Sequence, residues 1–272
     1  KMNFKKTFLY LLIHPLMNSS EVINEDERLI EVELAPSNRV VLLTEFTGWA
    51  CVNCPDAAAV ANEIISICPE NIVVVGMHPD GHGFTEPKGD ALDLRTKEAM
   101  DYLTFYGGSQ STGLPAGVIN GTKFDGEYIQ VYKKWTAEVM AQRAIEPAFS
   151  LNLSGSGADR EFTIQVDISP LENISDKASL QLWLLESDII GLQRLKDGYD
   201  SQYHHNHVFR KCLNSLWGDE LGVITNDVQK TYSFSIDEAY VPDNCSVVAV
   251  LINTDTKEVF QAAEIALGKS SH

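Results

Sequence analysis

Two kinds of hydrophobic patterning succeed one another along the chain. From Arg39, Val40, Val41, Leu42 and Leu43 form an unbroken apolar run, as expected of a strand buried on both faces. Cys51-Val52-Asn53-Cys54 follows in a loop, and Pro55 suits the first turn of a helix. Ala57, Val60, Ala61, Ile64 and Cys68 then recur at helical spacing until Pro69 stops them. Ile72 to Val75 predicts a second buried strand, ending in Gly76-Met77-His78, and a helix is expected over 95–106. Val118 and Ile119 mark a short strand, Asp125-Gly126 closes a hairpin, and Tyr128, Val131, Trp135 and Val139 mark a last amphipathic helix. The predicted order is β-α-β-α-β-β-α over residues 39–147.

Near Pro147 the period changes from helical to alternating. Phe162, Ile164, Val166 and Ile168 alternate with Thr163, Gln165 and Asp167, the mark of a half-buried strand. Leu180, Leu182 and Leu184 repeat the pattern, as do Tyr232, Phe234 and Ile236. With 149–153, 247–252 and 259–265 added, six or seven short strands are expected over 148–268, with almost no helical signal. An antiparallel sandwich of the immunoglobulin-like type is the packing they predict.

Composition changes this picture only at the edges. Hydrophobic residues make up 44% and charged residues 22%, which are globular values. The net charge of −17 argues against a nucleic-acid partner held through phosphates. No run reaches the roughly 18 apolar residues of a membrane-spanning helix. Lys1, Lys5 and Lys6 precede an apolar stretch, so residues 1–20 read as an export leader, interrupted by His14 and Pro15. A lipoprotein leader would place its lipid-bearing cysteine about where Ser20 stands. Residues 21–38 read as an acidic linker.

The Cys51/Cys54 pair carries the strongest chemistry. Two cysteines separated by two residues can close a small disulfide ring, and a thiol at a helix start is favoured as the thiolate, the nucleophile in disulfide exchange. A structural disulfide and a metal site are the competing readings, and no second ligand pair at matching spacing supports the metal. His78 ends a strand that approaches the dithiol and is a candidate proton carrier or a structural histidine. His205 and His207 share one face if their segment is extended, a two-ligand platform weighed against a hydrogen-bonding role. Cys68 falls on an apolar helix face as a small hydrophobe. Spacing does not decide whether Cys212 and Cys245 pair. No pattern calls for a cofactor.

The element order, the CxxC at a strand-to-helix turn and Leu114-Pro115 before the third strand resemble thioredoxin-fold proteins. That resemblance implies a cis Pro115 packed against the dithiol, and a buried acid at Glu45 that helps Cys54 lose its proton. Ala50 stands where thioredoxins have a tryptophan, displaced here to Trp49, and Val52-Asn53 replaces the usual Gly-Pro. A wider resemblance runs through 43–48, Cys51-Val52-Asn53-Cys54-Pro55, 113–120, 180–184, His205-Asn206-His207-Val208-Phe209-Arg210, Asn214 and Trp217-Gly218. It is to the outer membrane protein twenty-eight family of bacterial lipoproteins. It implies a thioredoxin-like domain followed by a β-sandwich, exported and tethered to the outer membrane by lipid.

Two functions follow as expectations. In the first, the protein is a thiol-disulfide oxidoreductase outside the cytoplasm: Cys51 attacks, Cys54 resolves, Pro115 binds the partner backbone and Glu45 relays protons. In the second, the sandwich of a surface adhesin recognises a glycan or protein partner and the disulfide is a staple. An exposed Cys51 favours exchange, and a covered one favours the staple.

Overall fold

The computed structural model describes residues 38–268 in full, together with the backbone of Tyr10–Leu12 (β1) and Leu29–Glu31 (β2). β1 and β2 pair antiparallel, with Tyr10 opposite Glu31, in a first compact unit, Lys1–Pro36. Apart from these two strands and Asn38, the expected leader with its Ser20 and the acidic linker lie outside the described residues. Ser37–His272 forms the second unit.

This second unit opens with β3 (Val41–Phe46), α1 (Cys54–Ile67), β4 (Ile72–Met77), α2 (Lys97–Phe105), β5 (Ala116–Ile119) and α3 (Trp135–Arg143). Ten strands follow: β6 (Phe149–Ala158), β7 (Glu161–Pro170), β8 (Lys177–Glu186), β9 (Ile189–Leu195), β10 (Gly198–His205), β11 (Val208–Cys212), β12 (Asp219–Val223), β13 (Val228–Ser235), β14 (Cys245–Asn253) and β15 (Val259–Ala266). Eight strands form one mixed sheet in the order β15-β14-β8-β11-β4-β3-β5, with β12 beside β8. β6, β7 and β13 form a separate three-stranded sheet, and β9 and β10 pair only with each other.

Alternation decides which residues face which layer. Leu42, Phe46, Val73, Val75, Met77, Trp183, Leu185, Phe209, Val248 and Val250 point to one face of the large sheet and share a single core with Tyr102 and Leu103 of α2. The opposite face is divided. Val41, Leu43, Ile72 and Val74 pack under Ala57, Ala61 and Ile64 of α1 and Trp135 and Val139 of α3. Leu180, Leu182, Val247, Ala249 and Leu251 pack under Leu151, Ile164, Val166 and Ile168 of the three-stranded sheet. Trp135 rests directly on β5: a Cβ at Gly117 would lie 2.2 Å from its Nε1.

The expected architecture, a thioredoxin-like α/β domain followed by an immunoglobulin-like sandwich, is corrected by this sheet. Strand accounts for 44% of the structure and helix for 16%. β8, β11, β14 and β15 continue the sheet of β3, β4 and β5, so no self-contained thioredoxin-like α/β domain stands apart. The physical reason lies in β8, every residue of which after Lys177 is buried. Leu180, Leu182 and Leu184 suggest a one-sided strand, but Trp183 and Leu185 at the alternate positions are apolar too and need cover on the other face. That cover is α2, whose Tyr102 and Leu103 share one core with them. The joint between the halves is narrow: Val208 of β11 pairs with Gly76 of β4, and Gly76 N–H donates to the carbonyl of His207 at 2.8 Å.

Candidate functional site

The loop after β3 is held on both sides. Thr47 N–H donates to Met77 O at 2.9 Å, Ala50 N–H to Phe84 O at 3.0 Å, and the Trp49 indole to Glu86 O at 2.8 Å. Gly48 permits the close approach, since a Cβ there would meet Phe84 O at 2.5 Å. Pro55 stands in the first turn of α1, as its fixed φ favours. Cys51 and Cys54 are joined as a disulfide with Cα atoms 5.4 Å apart. Both are covered, at 2% and 3% exposure, while Asn53 between them is exposed. Leu114–Pro115 is cis, and Leu114 and Ala116 share the buried cluster of Cys51 and Cys54.

Behind the disulfide lies a cavity of about 80 Å³, lined among others by Glu45, Cys54, His78, Gln193, Tyr203 and His205. Its side chains are short of partners: no hydrogen bond reaches Glu45 Oε1 or either ring nitrogen of His78. Burial pushes the Glu45 carboxyl up to about 8, against a hydrogen bond from Thr47 that lowers it. Burial holds His78 down at about 3, reinforced by His205 and Arg210. His205 is held at about 4 by the same desolvation, and the two rings meet edge-on at 6.2 Å. Tyr203, 4.9 Å from His205 between ring centres, is raised by burial and then by Glu45. At neutral pH Glu45 is therefore protonated and the His78 and His205 imidazoles neutral, the forms that burial favours. A protonated Glu45 beside Cys54 can give its proton to a departing thiolate.

The β9–β10 hairpin, whose Gln193, Tyr203 and His205 line this cavity, is tied to the disulfide loop. Arg194 N–H donates to Trp49 O at 2.7 Å. The Gln193 amide donates to Cys51 O at 3.1 Å and also reaches Gly48 O at 3.5 Å. Lys196 forms an ion pair with Asp56 of α1, and at the hairpin base His204 Nδ1 pairs with Asp188.

The structure thus brings Cys51, Cys54, Glu45, Trp49, His78 and His205 around one site, with Pro115 in the adjoining strand. His207 lines the same cavity, but its φ of +55° breaks the extended run that was to align it with His205. Among the described residues, no group of three or more His, Cys, Asp or Glu is placed to hold a metal ion. A Cys212–Cys245 bond is ruled out, because both thiols are free. Cys212 sits opposite Trp183 and Cys245 opposite Glu186, on the two sides of β8. Two strand spacings, roughly 9–10 Å, exceed the reach of a disulfide. Cys68 is buried against Met140, its sulfur 3.9 Å from Sδ. Sequence reasoning missed Gln193 and Tyr203, which no local pattern marks.

The family model for the outer membrane protein Omp28 matches residues 102–271. No curated protein matches the chain. Among solved structures, HBP35 of Porphyromonas gingivalis is similar at TM-score 0.67 and 15% identity, over 87% of this chain and 79% of that one. A protein from Agrobacterium tumefaciens is similar at TM-score 0.55 and 15% identity, over 88% of this chain and 99% of that one. At such identities these two likenesses concern the fold alone. A domain of the outer membrane lipoprotein Omp28 from Porphyromonas gingivalis shares 21% identity over 46% of this chain and 92% of that one, at TM-score 0.34. Among the described residues, no helix is long and apolar enough to cross a membrane. The match of the family model over more than half of the length settles the kinship: this chain belongs to the Omp28 family of outer membrane proteins.

Proposed function

We propose that this outer membrane protein is a lipid-tethered thiol-disulfide exchanger that works outside the cytoplasm. The observation that carries the reading is that Cys54 and Glu45 line one cavity, where the carboxyl is raised to about 8. A disulfide that serves only as a staple gains nothing from a buried acid with one carboxyl oxygen left without a hydrogen bond, which costs stability, whereas an exchange reaction uses one.

From the oxidised state the reaction runs as follows. A partner thiolate attacks Cys51 Sγ, a mixed disulfide forms, and Cys54 leaves as a thiolate that takes the proton of Glu45. A second partner thiolate then attacks the partner's own sulfur in the mixed disulfide and releases Cys51. The partner has lost two electrons and gained a disulfide; the Cys51/Cys54 pair has gained those electrons. Pro115 positions the partner backbone, and the reverse reaction uses the same groups.

The second reading, a surface binding protein whose strands recognise a glycan or protein and whose disulfide is a staple, draws support from the 2% exposure of Cys51. Incubating the oxidised protein with a dithiol peptide separates the two. Exchange predicts stoichiometric transfer of the disulfide, lost in Cys51→Ser; in Cys54→Ser the Cys51 thiolate, offered the same peptide in its oxidised form, attacks the peptide disulfide, expels one peptide thiolate and is trapped as a mixed disulfide. A protein that transfers nothing while keeping its fold belongs to the binding reading.

A further inference from the structure

We infer that the β9–β10 hairpin occupies the place of an extended polypeptide partner against the disulfide loop, so that the partner must be a chain able to take over its hydrogen bonds. The inference rests on the exchange reading and names its substrate class and its restraint.

The carbonyls on this side of the disulfide loop are answered by the chain's own strand. Trp49 O accepts from the backbone N–H of Arg194 at 2.7 Å, and Cys51 O accepts from the Gln193 amide at 3.1 Å. A backbone N–H meeting a loop carbonyl beside a reactive sulfur is the contact an extended peptide makes when it adds to exposed backbone. Gln193 is 3% exposed and Cys51 2%, so an extended chain reaches the carbonyls of Trp49 and Cys51 only once this segment has moved.

The hairpin is built to leave without dismantling the fold. Its strands pair only with each other and add no rung to the eight-stranded sheet. Its ties to the disulfide loop and α1 are the Gln193 and Arg194 hydrogen bonds and the Lys196–Asp56 pair, whose side chains are 59% and 41% exposed. An exposed pair of this kind adds little. Its base is pinned to the end of β4, where His205 meets the ring of His78 at 6.2 Å and Gly76 N–H donates to His207 O at 2.8 Å, so motion pivots there. Segments with few buried contacts open at low free energy, on their own and ahead of global unfolding.

The test follows reduction of the Cys51–Cys54 bond in the full chain by an excess of two thiols, mercaptoethanol and an extended eight-residue peptide with one cysteine. Each attack is trapped by acid quench and read by mass. Excess thiol drives the first attack whatever the reduction potential, so failure of the exchange reading, scored by that potential, stays separable. Gln193→Ala and Gln193→Glu remove the donor to Cys51 O, and the second sets a carboxylate against that carbonyl. Both variants are expected to accelerate attack by the peptide about tenfold, and attack by mercaptoethanol clearly less, while near-ultraviolet circular dichroism shows the chain still folded at the assay temperature. The gain in Gln193→Glu is expected to grow as pH rises through the carboxylate range, which a general loosening of the fold does not produce. Equal rates in wild type and variants, or equal gains for the two thiols, overturn the inference.

Discussion

The side-chain amide of Gln193 donates to the carbonyl oxygen of Cys51 at 3.1 Å, joining positions 142 residues apart. Through this bond the second half of the chain reaches the one reactive-looking bond of the first. The covered disulfide, the buried acid and the hairpin that lines the same cavity form a single arrangement. The Omp28 kinship places that arrangement at the outer membrane.

Glu45 makes stability depend on pH in a stated direction. Its carboxyl is raised from 4.5 to about 8 in the folded protein, so between these values the folded state holds a proton that the unfolded state has lost. The stability it contributes is full below 4.5 and falls as pH rises to 8, by up to about 1.4 kcal/mol per pH unit. Glu45→Gln is expected to flatten this decline in denaturant titrations at pH 5, 6.5 and 8. An unchanged slope shows that Glu45 ionises freely.

His78 acts with the opposite sign. Its folded value of about 3 lies below its ordinary 6.5, so its contribution is present above 6.5 and lost as pH falls toward 3. Between pH 6.5 and 5 this amounts to on the order of 2 kcal/mol. Replacing it by His78→Leu, of similar volume and with no ring nitrogen to leave unpaired, is expected to retain that stability at pH 5. Thermal melts at pH 7 and 5 read it directly.

Tyr102 ties α2 to β8 at a point where three polar groups depend on one oxygen. The Trp183 indole donates to it at 3.1 Å, the Gln181 amide at 3.0 Å, and its hydroxyl in turn donates to Leu216 O. Tyr102→Phe leaves the buried Trp183 indole N–H unpaired, while the Gln181 amide keeps Leu216 O at 2.7 Å, and is expected to destabilise by about 1–3 kcal/mol, measured by urea unfolding.

The disulfide itself constrains only a short loop. Reduction, or Cys51→Ser with Cys54→Ser, is expected to cost about 2 kcal/mol by the chain-entropy relation, well within the stability of a protein this size. Retention of the near-ultraviolet circular dichroism after reduction checks it.

Much of this was legible in the sequence, for physical reasons that can be named. Val41 to Leu43 and Ile72 to Val75 declare buried strands because every position is apolar, and the helix over Cys54–Ile67 is bounded by Pro55 and Pro69. Cys51, Cys54, Glu45 and His78 could be placed near one another because adjacent elements carry them. The hairpin β9–β10 was not legible: Gln193, Arg194, Asp200, Gln202 and His204 show no hydrophobic period, because the strands pack on a loop and one another and bury no continuous face. For the same reason the meeting of His78 with His205 was hidden. The error at β8 was different in kind: three leucines in alternation matched one template, while Trp183 and Leu185 at the alternate positions already signalled a strand with two buried faces. Long-range sheet continuity is decided by such residues, and short windows do not weigh them.

The most direct test of the exchange account is the reduction potential of the Cys51–Cys54 pair in the full chain, with Cys51→Ser as control. The account predicts a value between about −120 and −270 mV, the range of proteins that exchange disulfides. A value below about −300 mV marks a structural bond and contradicts it.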